Sequence, residues 1–251
     1  MLNLSHRRKG QQMRTEIPRM TYEERQARAQ AKKDIILGFL ASGEVYTSAV
    51  VAAQVMAASP SAAERTLTSL ARDGALKFES HMVGSRKTYI YGITPHGLAL
   101  MDRFDRPYFQ LGRTNSAYIP HHLETQRARL AAEEAGWTDW TPGKLLHSQG
   151  LKKIPDAIAT SPAGMRVAIE IERHIKTPKR YEEIISAHLQ SISKKLWREV
   201  HYLTPDGLAT RVARAFENVK SVPVNGDRIQ LEQIHRDRFR FFELNAWPEN
   251  K

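Results

Sequence analysis

The segment KIPDAI at residues 153–158 and the segment VAIEIER at residues 167–173 decide the fold of the second half of this chain. In the later segment every other residue is Val or Ile, and Glu170 and Glu172 fall between them. A β-strand with this alternation places the branched aliphatic side chains on one face and both carboxylates on the other. Asp156 follows a proline and opens a short apolar run, so the sequence predicts two adjacent strands that carry three carboxylates.

Three carboxylates on adjacent strands favour a site for a divalent cation. Hard cations such as Mg²⁺ prefer oxygen ligands and are usually held by one or two carboxylates together with phosphate oxygens and water. Cleavage of a phosphodiester needs such chemistry, so Asp156, Glu170 and Glu172 are candidate ligands. An ordinary solvated sheet face would show the same alternation, and this alternative remains open.

The composition favours a polyanionic partner. The formal net charge is +11, and the basic residues are spread along all 251 positions, which favours nucleic acid before a membrane surface. The length allows two domains, and 41% hydrophobic residues suffice for their cores.

The absence of cysteine excludes disulfides, thiolate zinc sites and cysteine nucleophiles. No apolar run reaches the length of about 18 residues that a membrane span needs, and residues 1–8 lack the apolar core of a signal peptide. We therefore expect a cytoplasmic protein that does not contact the membrane.

The first quarter of the chain predicts a basic arm followed by three short helices. The arm covers residues 1–30 and is suited to DNA phosphates. Helices are predicted at 34–40, 47–56 and 60–72, and the third has the clearest start, because Ser59 precedes Pro60. The outer face of the third helix carries short polar and basic side chains that suit a DNA groove: Ser61, Arg65, Thr68, Ser69 and Arg72.

Two β-prone runs, 75–82 and 87–93, are joined by a basic turn and predict a hairpin. Three helices followed by such a hairpin resemble the winged helix-turn-helix domains of bacterial DNA-binding proteins. This resemblance implies that the 60–72 helix enters the major groove and that Arg86 and Lys87 reach the backbone or the minor groove. A winged helix that contacts another protein is the alternative.

The predicted fold class is α/β (α+β), with a winged helix domain at 31–105, a linker at 106–120 and a second domain at 121–251. The second domain is predicted to be a mixed sheet flanked by helices. After a helix at 121–135 and the two acidic strands, its further elements are a helix at 178–197, a strand at 199–203, a helix at 206–219 and a strand at 238–244.

Pro155-Asp156 followed by Glu170-Ile171-Glu172 resembles the PD-(D/E)xK nuclease superfamily, except that Glu172 stands where that pattern usually has lysine. The resemblance implies a restriction-endonuclease-like sheet in which Asp156 and Glu170 hold the metal and Glu172 binds metal or acts as general base. Glu124 on the preceding helix would add a ligand. Lys176, or else Arg173, would supply the missing cation.

Other side chains near this motif are weaker candidates. Gln190 could face the same side, and His122 and His174 are further candidates, although a lone histidine is more often structural. Tyr181 and Tyr202 raise the rival mechanism of a phosphotyrosine intermediate. The cluster of three histidines that accompanies this mechanism in transfer relaxases is absent, so hydrolytic or metal-assisted nicking is preferred.

Taken in order, these motifs resemble the replication-relaxation family and the related MobC-type plasmid mobilisation relaxases over residues 30–245. The resemblance implies a relaxase that recognises double-stranded DNA at an origin of transfer and nicks one strand with Mg²⁺ or Mn²⁺. Other mobilisation or secretion-coupling proteins would be its partners, and a homo-oligomer would lengthen the DNA site that one winged helix reads. A non-catalytic regulator of plasmid replication or transcription and a restriction-type endonuclease are the alternatives.

Overall fold

A computed structural model describes residues 20–147, 150–224 and 226–249. Within these ranges the chain is a mixed α/β protein with eight α-helices, a three-stranded sheet, a five-stranded sheet and a two-stranded ribbon. Positions 1–19 of the predicted basic arm lie outside the described residues.

The amino-terminal half contains four helices and an antiparallel sheet with the strand order β1-β3-β2. Its elements are α1 (Tyr22–Phe39), β1 (Tyr46–Ser48), α2 (Ala49–Val55), α3 (Pro60–Arg72), β2 (Leu76–Val83), β3 (Arg86–Ile93) and α4 (Pro95–Ala99), with a π-helical turn at Leu40–Glu44.

The helix predicted at 60–72 is confirmed, whereas the helix predicted at 34–40 is too short. Ser59 caps α3 by accepting a hydrogen bond from the backbone of Ala62. Helix α1 begins at Tyr22, where Thr21 and Glu24 form a capping box, and its buried residues lie at its carboxyl end. Its first three turns are polar on all sides, so apolar periodicity could not predict them. The predicted helix at 47–56 in fact begins as strand β1, which pairs with β3.

The carboxyl-terminal half is built on a sheet with the strand order β10-β7-β6-β5-β4. Its elements are α5 (Ile119–Glu134), β4 (Thr138–Pro142), β5 (Ala157–Thr160), β6 (Arg166–Ile171), α6 (Pro178–Ser193), β7 (Glu199–Thr204), α7 (Ala209–Asn218), β8 (Ser221–Val224), β9 (Asp227–Gln230), α8 (Gln233–Arg236) and β10 (Phe239–Glu243). Strands β4, β5 and β6 run antiparallel and β6, β7 and β10 run parallel, which confirms the predicted mixed direction. Strand β4, the β8–β9 ribbon and α8 were not predicted.

The two faces of β6 are covered by different helices. Val167, Ile169 and Ile171 pack with residues of α5, whereas Ala168 packs with α6 and α7. The predicted division of side chains between the faces is therefore confirmed. The carboxylates are not solvated, since Glu170 is 7% and Glu172 is 4% exposed. The alternative of an ordinary solvated sheet face is wrong.

Helix α5 packs against the amino-terminal half through buried polar contacts. Arg129 Nη1 lies 3.0 Å from Glu44 Oε1, and Thr47 donates a 2.8 Å hydrogen bond to Gln126 Oε1. In the predicted linker, Phe109 is buried and its backbone N–H donates to Ile93 O. Because buried polar groups need their partners, these contacts set the position of α5 relative to β1. The domain boundaries themselves stay a prediction.

Candidate functional site

The pairing of β5 with β6 brings Asp156 and Glu170 together. Ala157 lies opposite Ile169, so the next residues outward, Asp156 and Glu170, share one face of the sheet. Residues opposite one another on antiparallel strands have Cβ atoms about 4.5–5.5 Å apart. The backbone N–H of Ile171 donates a 2.7 Å hydrogen bond to Asp156 Oδ2 and holds that carboxylate over the end of β6.

Gly143 allows the Pro155-Asp156 turn to lie close to the end of β4. Its backbone N–H donates a 2.7 Å hydrogen bond to Asp156 O. A Cβ atom at this position would lie 2.2 Å from Pro155 O, which is closer than real Cβ contacts. Glycine at 143 is therefore part of what positions Asp156.

Glu170 is held by two basic residues that the sequence did not reveal. Lys153 Nζ lies 2.6 Å from Oε1 and 2.7 Å from Oε2 of Glu170. His188 of α6 is fully buried, and its Nε2 lies 3.1 Å from Oε1 of the same carboxylate. Burial alone would raise the pKa of Glu170, but Lys153 and His188 outweigh it and lower the pKa to about 2. Lys153 could have been singled out from the sequence, because it is a basic residue only three positions before Asp156.

The remaining predicted carboxylates also carry basic partners. Lys176 pairs with Glu172 and Arg173 pairs with Glu124. The two predicted cations, Lys176 and Arg173, therefore each pair with a different carboxylate of the predicted site. The second oxygen of Glu124, Oε2, is buried and accepts no hydrogen bond from the described residues.

The two adjacent histidines of α5 point to different parts of the protein. His121 Nε2 lies 3.1 Å from Asp156 Oδ2. Burial alone would lower the pKa of His121, but the carboxylates of Asp156, Glu170 and Glu124 outweigh it and raise that pKa.

His122 instead lies against the amino-terminal half. Its Nε2 lies 2.9 Å from Tyr46 O, and burial lowers its pKa to about 3. The predicted candidate His174 is exposed. Of the two adjacent histidines, His121 is therefore the one that reaches the site, although sequence analysis did not single it out. The rotation of α5 determines which of the two does so.

Both tyrosines of the rival mechanism are buried. Tyr181 Oη accepts a 3.1 Å hydrogen bond from the backbone of Lys176. Tyr202 lies opposite Glu170 on β7, and its hydroxyl is buried without a hydrogen-bond partner among the described residues. Burial raises the pKa of both tyrosines. A phosphate could not reach either hydroxyl in this conformation.

The family model described as Replication-relaxation matches residues 37–217, well over half of the chain. The chain belongs to this family. Membership indicates a role in the replication or mobilisation of plasmids or other mobile elements and an interaction with DNA. Comparison with curated proteins and with solved structures gives no match. In the described part of this Replication-relaxation protein, no helix is long and apolar enough to cross a membrane.

The carboxylate oxygens of this family member are chemically suited to a hard cation. Each of these carboxylates, however, is already paired with a basic side chain. Asp156 and Glu170 offer carboxylate oxygens at opposite positions, and one buried oxygen of Glu124 has no hydrogen-bond partner among the described residues. One or two carboxylates completed by water and phosphate are sufficient for Mg²⁺. Across residues 20–147, 150–224 and 226–249, however, no three His, Asp or Glu side chains are already arranged around one point.

The residues predicted to contact DNA lie on the surface. Arg86 and Lys87 are exposed at the tip of the β2–β3 hairpin. On α3, Ser69 is half-buried and the other predicted positions are exposed: Ser61, Arg65, Thr68 and Arg72.

A groove of about 560 Å³ between α1 and α3 is lined by further basic side chains, of which Arg25 and Arg28 belong to the predicted basic arm. Arg25, Arg28 and Lys32 lie on one face of α1 at helical spacing and line this groove with Arg65 of α3. Lys33 also lines it and pairs with Asp73 at 2.7 Å.

A second open cleft, of about 410 Å³, is lined by Lys153, the partner of Glu170. Lys152, Lys153 and Arg180 line it, together with Gln190 of α6. Gln190 therefore shares this cleft with Lys153. Two of these cations already have acidic partners: Lys153 pairs with Glu170, and Arg180 pairs with Glu183, which also lines the cleft.

Proposed function

We propose that this protein binds double-stranded DNA through a winged helix formed by α1–α3 and β2–β3, and nicks one strand at an origin of transfer with a PD-(D/E)xK-type site. The observation that carries the proposal is the pair Asp156 and Glu170, which lie opposite each other next to a cleft lined by Lys153. The carboxylate of Glu170 is buried, and that of Asp156 is partly exposed. Carboxylates are seldom buried unless a partner or a function requires them. Family membership supports the DNA substrate.

Binding would place α3 in the major groove, with Arg65 and Arg72 facing base edges and phosphates. The basic groove between α1 and α3 would follow the adjacent phosphates. Electrostatic attraction to phosphates does not depend on the DNA sequence. Helix α1 would therefore add affinity for any DNA, and α3 would add specificity for one DNA sequence.

In the site, Asp156 and Glu170 would hold Mg²⁺ or Mn²⁺, with water and phosphate oxygens completing its coordination. The cation would neutralise the scissile phosphate and lower the pKa of attacking water. Lys153 can turn from Glu170 to a phosphate oxygen and stabilise the charge that develops there, which is the task of the lysine that Glu172 replaces.

His121, whose Nε2 lies 3.1 Å from Asp156 Oδ2, would be near enough to donate a proton to the departing oxygen. Glu172 would act through Lys176, which it holds at the rim of the site.

One observation favours a second candidate, a DNA-binding regulator that does not cut. Asp156, Glu170, Glu172 and Glu124 each have a basic partner within the described residues. Such a set of ion pairs would stabilise a nuclease scaffold that has no need of a metal ion.

A cleavage assay separates these candidates. The substrate is a supercoiled plasmid that carries the DNA site selected by the protein from a random library, with Mg²⁺ or Mn²⁺ added. Open-circle product that is lost in Asp156→Asn and Glu170→Gln, but kept in the exposed control Glu134→Gln, supports nicking. Linear product would instead indicate a restriction-type endonuclease. Binding without any product, in protein whose circular dichroism is unchanged, would establish the regulator.

A further inference from the structure

The β2–β3 hairpin carries an exposed apolar strip, formed by Phe78, Met82 and Tyr89, which we call the wing strip. These side chains are 50%, 59% and 41% exposed. Single exposed apolar residues are ordinary, but a contiguous group on one face usually marks a contact surface.

The strand register shows that the wing strip is continuous with the base of α3. Phe78 pairs with Tyr91, and Met82 pairs with Lys87, so all of them share one face of the hairpin. The ring centroid of Phe78 lies 5.6 Å from that of Tyr91 and 6.4 Å from that of Tyr89. Tyr91 belongs to the same buried cluster as Leu67 of α3. The strip therefore runs outward from the proposed recognition helix toward the tip of the hairpin.

The charges around the wing strip suit DNA as its occupant. Lys87 Nζ lies 5.2 Å from the ring centroid of Tyr89, and Arg86 is exposed next to it. Glu79 points to the other face of the hairpin, where Gly112 donates to it at 2.7 Å and His81 lies at 2.8 Å. One acidic side chain, Glu64 of α3, lies near Tyr91, where the strip meets α3. An apolar surface with a basic rim is what proteins use to enter the minor groove.

We infer that the wing strip inserts into the minor groove beside the sequence bound by α3 and unstacks the base pairs there. Apolar wedges open base steps at a cost that phosphate contacts by neighbouring cations can offset. Freed bases would stack on Phe78 and Tyr89, because aromatic rings accept any base. The inference rests on the proposed winged helix function and deepens it, since local unstacking would release one strand for the site around Asp156.

Fluorescence of 2-aminopurine tests this inference in the full-length protein. The probe replaces adenines flanking the selected site in a duplex, and its fluorescence rises when the base leaves the stack. We expect wild-type protein to raise the signal severalfold. Met82→Ser and Phe78→Thr should abolish the rise while changing affinity by less than about threefold, because the variants lose base stacking but no longer incur the cost of unstacking the duplex. Met82→Leu should keep the rise, and the matched control Phe104→Ser removes an exposed ring elsewhere and should leave it unchanged.

Each other outcome overturns the inference in a recognisable way. If wild-type protein binds the duplex without a fluorescence rise and without permanganate reactivity at flanking thymines, the inference fails and the proposed function stands. A rise that persists in Met82→Ser and Phe78→Thr assigns the unstacking to another element. If sedimentation shows that the same variants only dissociate a dimer, the strip is a contact between copies. Failure of wild-type protein to bind any duplex overturns the proposed function as well.

Discussion

Replacing Arg129 with methionine should destabilise the protein strongly, because it leaves the buried carboxylate of Glu44 without a cation. Arg129 Nη1 lies 3.0 Å from Glu44 Oε1 and donates to Ser42 Oγ at 2.6 Å. Burial raises the pKa of Glu44, and Arg129 opposes this rise. Removing one partner of a buried ion pair costs about 3–5 kcal/mol. At roughly 2–4 °C per kcal/mol for a chain of this size, we expect the melting temperature to fall by roughly 6–20 °C.

Urea denaturation of a double-mutant cycle measures this energy. Glu44→Leu combined with Arg129→Met removes both charges, so the double variant should be more stable than Arg129→Met alone. Glu133 also pairs with Arg129 at 2.7 Å but is exposed, so Glu133→Gln is the matched control and should cost less than about 1 kcal/mol. A loss below about 1 kcal/mol in Arg129→Met, or no recovery in the double variant, would refute the role assigned to this pair.

Three further predictions follow from the site and the DNA surface. Because the pKa of His122 falls from 6.5 to about 3 through burial, the unfolded chain binds more protons between these values. The free energy of unfolding should therefore fall with decreasing pH, by at most about 1.4 kcal/mol per unit, and His122→Gln should flatten this slope in urea titrations. Lys153→Met should destabilise the protein most above pH 4.5, with the deficit shrinking toward pH 2, because the cation that lowers the pKa of Glu170 is lost; an equal deficit at all pH values would contradict this. In salt-dependent DNA binding, Arg28→Gln with Lys32→Gln should reduce the slope of log K against log salt by about 2 for every DNA sequence tested.

Local patterns were sufficient for the elements that carry the motif. The alternation in residues 167–171 predicted which side chains share a face, since side-chain direction in a strand reverses at each residue. The strand that follows Asp156 and the helix at 60–72 were likewise predicted where the structure has them, because a proline or a capping serine marks their starts. Asp156 and Glu170 lie opposite each other because a short turn joins their two antiparallel strands.

The sequence by itself thus determined the order of most of the elements, the basic character of the chain and the two carboxylates that face each other. The tertiary structure alone decided what those carboxylates touch. His188 reaches Glu170 from a helix 18 residues away, and His121 rather than His122 reaches Asp156 because α5 is rotated by its contacts with β1. The physical reason is that strand periodicity specifies a face, whereas the side chains that cover that face come from helices packed on it from distant parts of the chain.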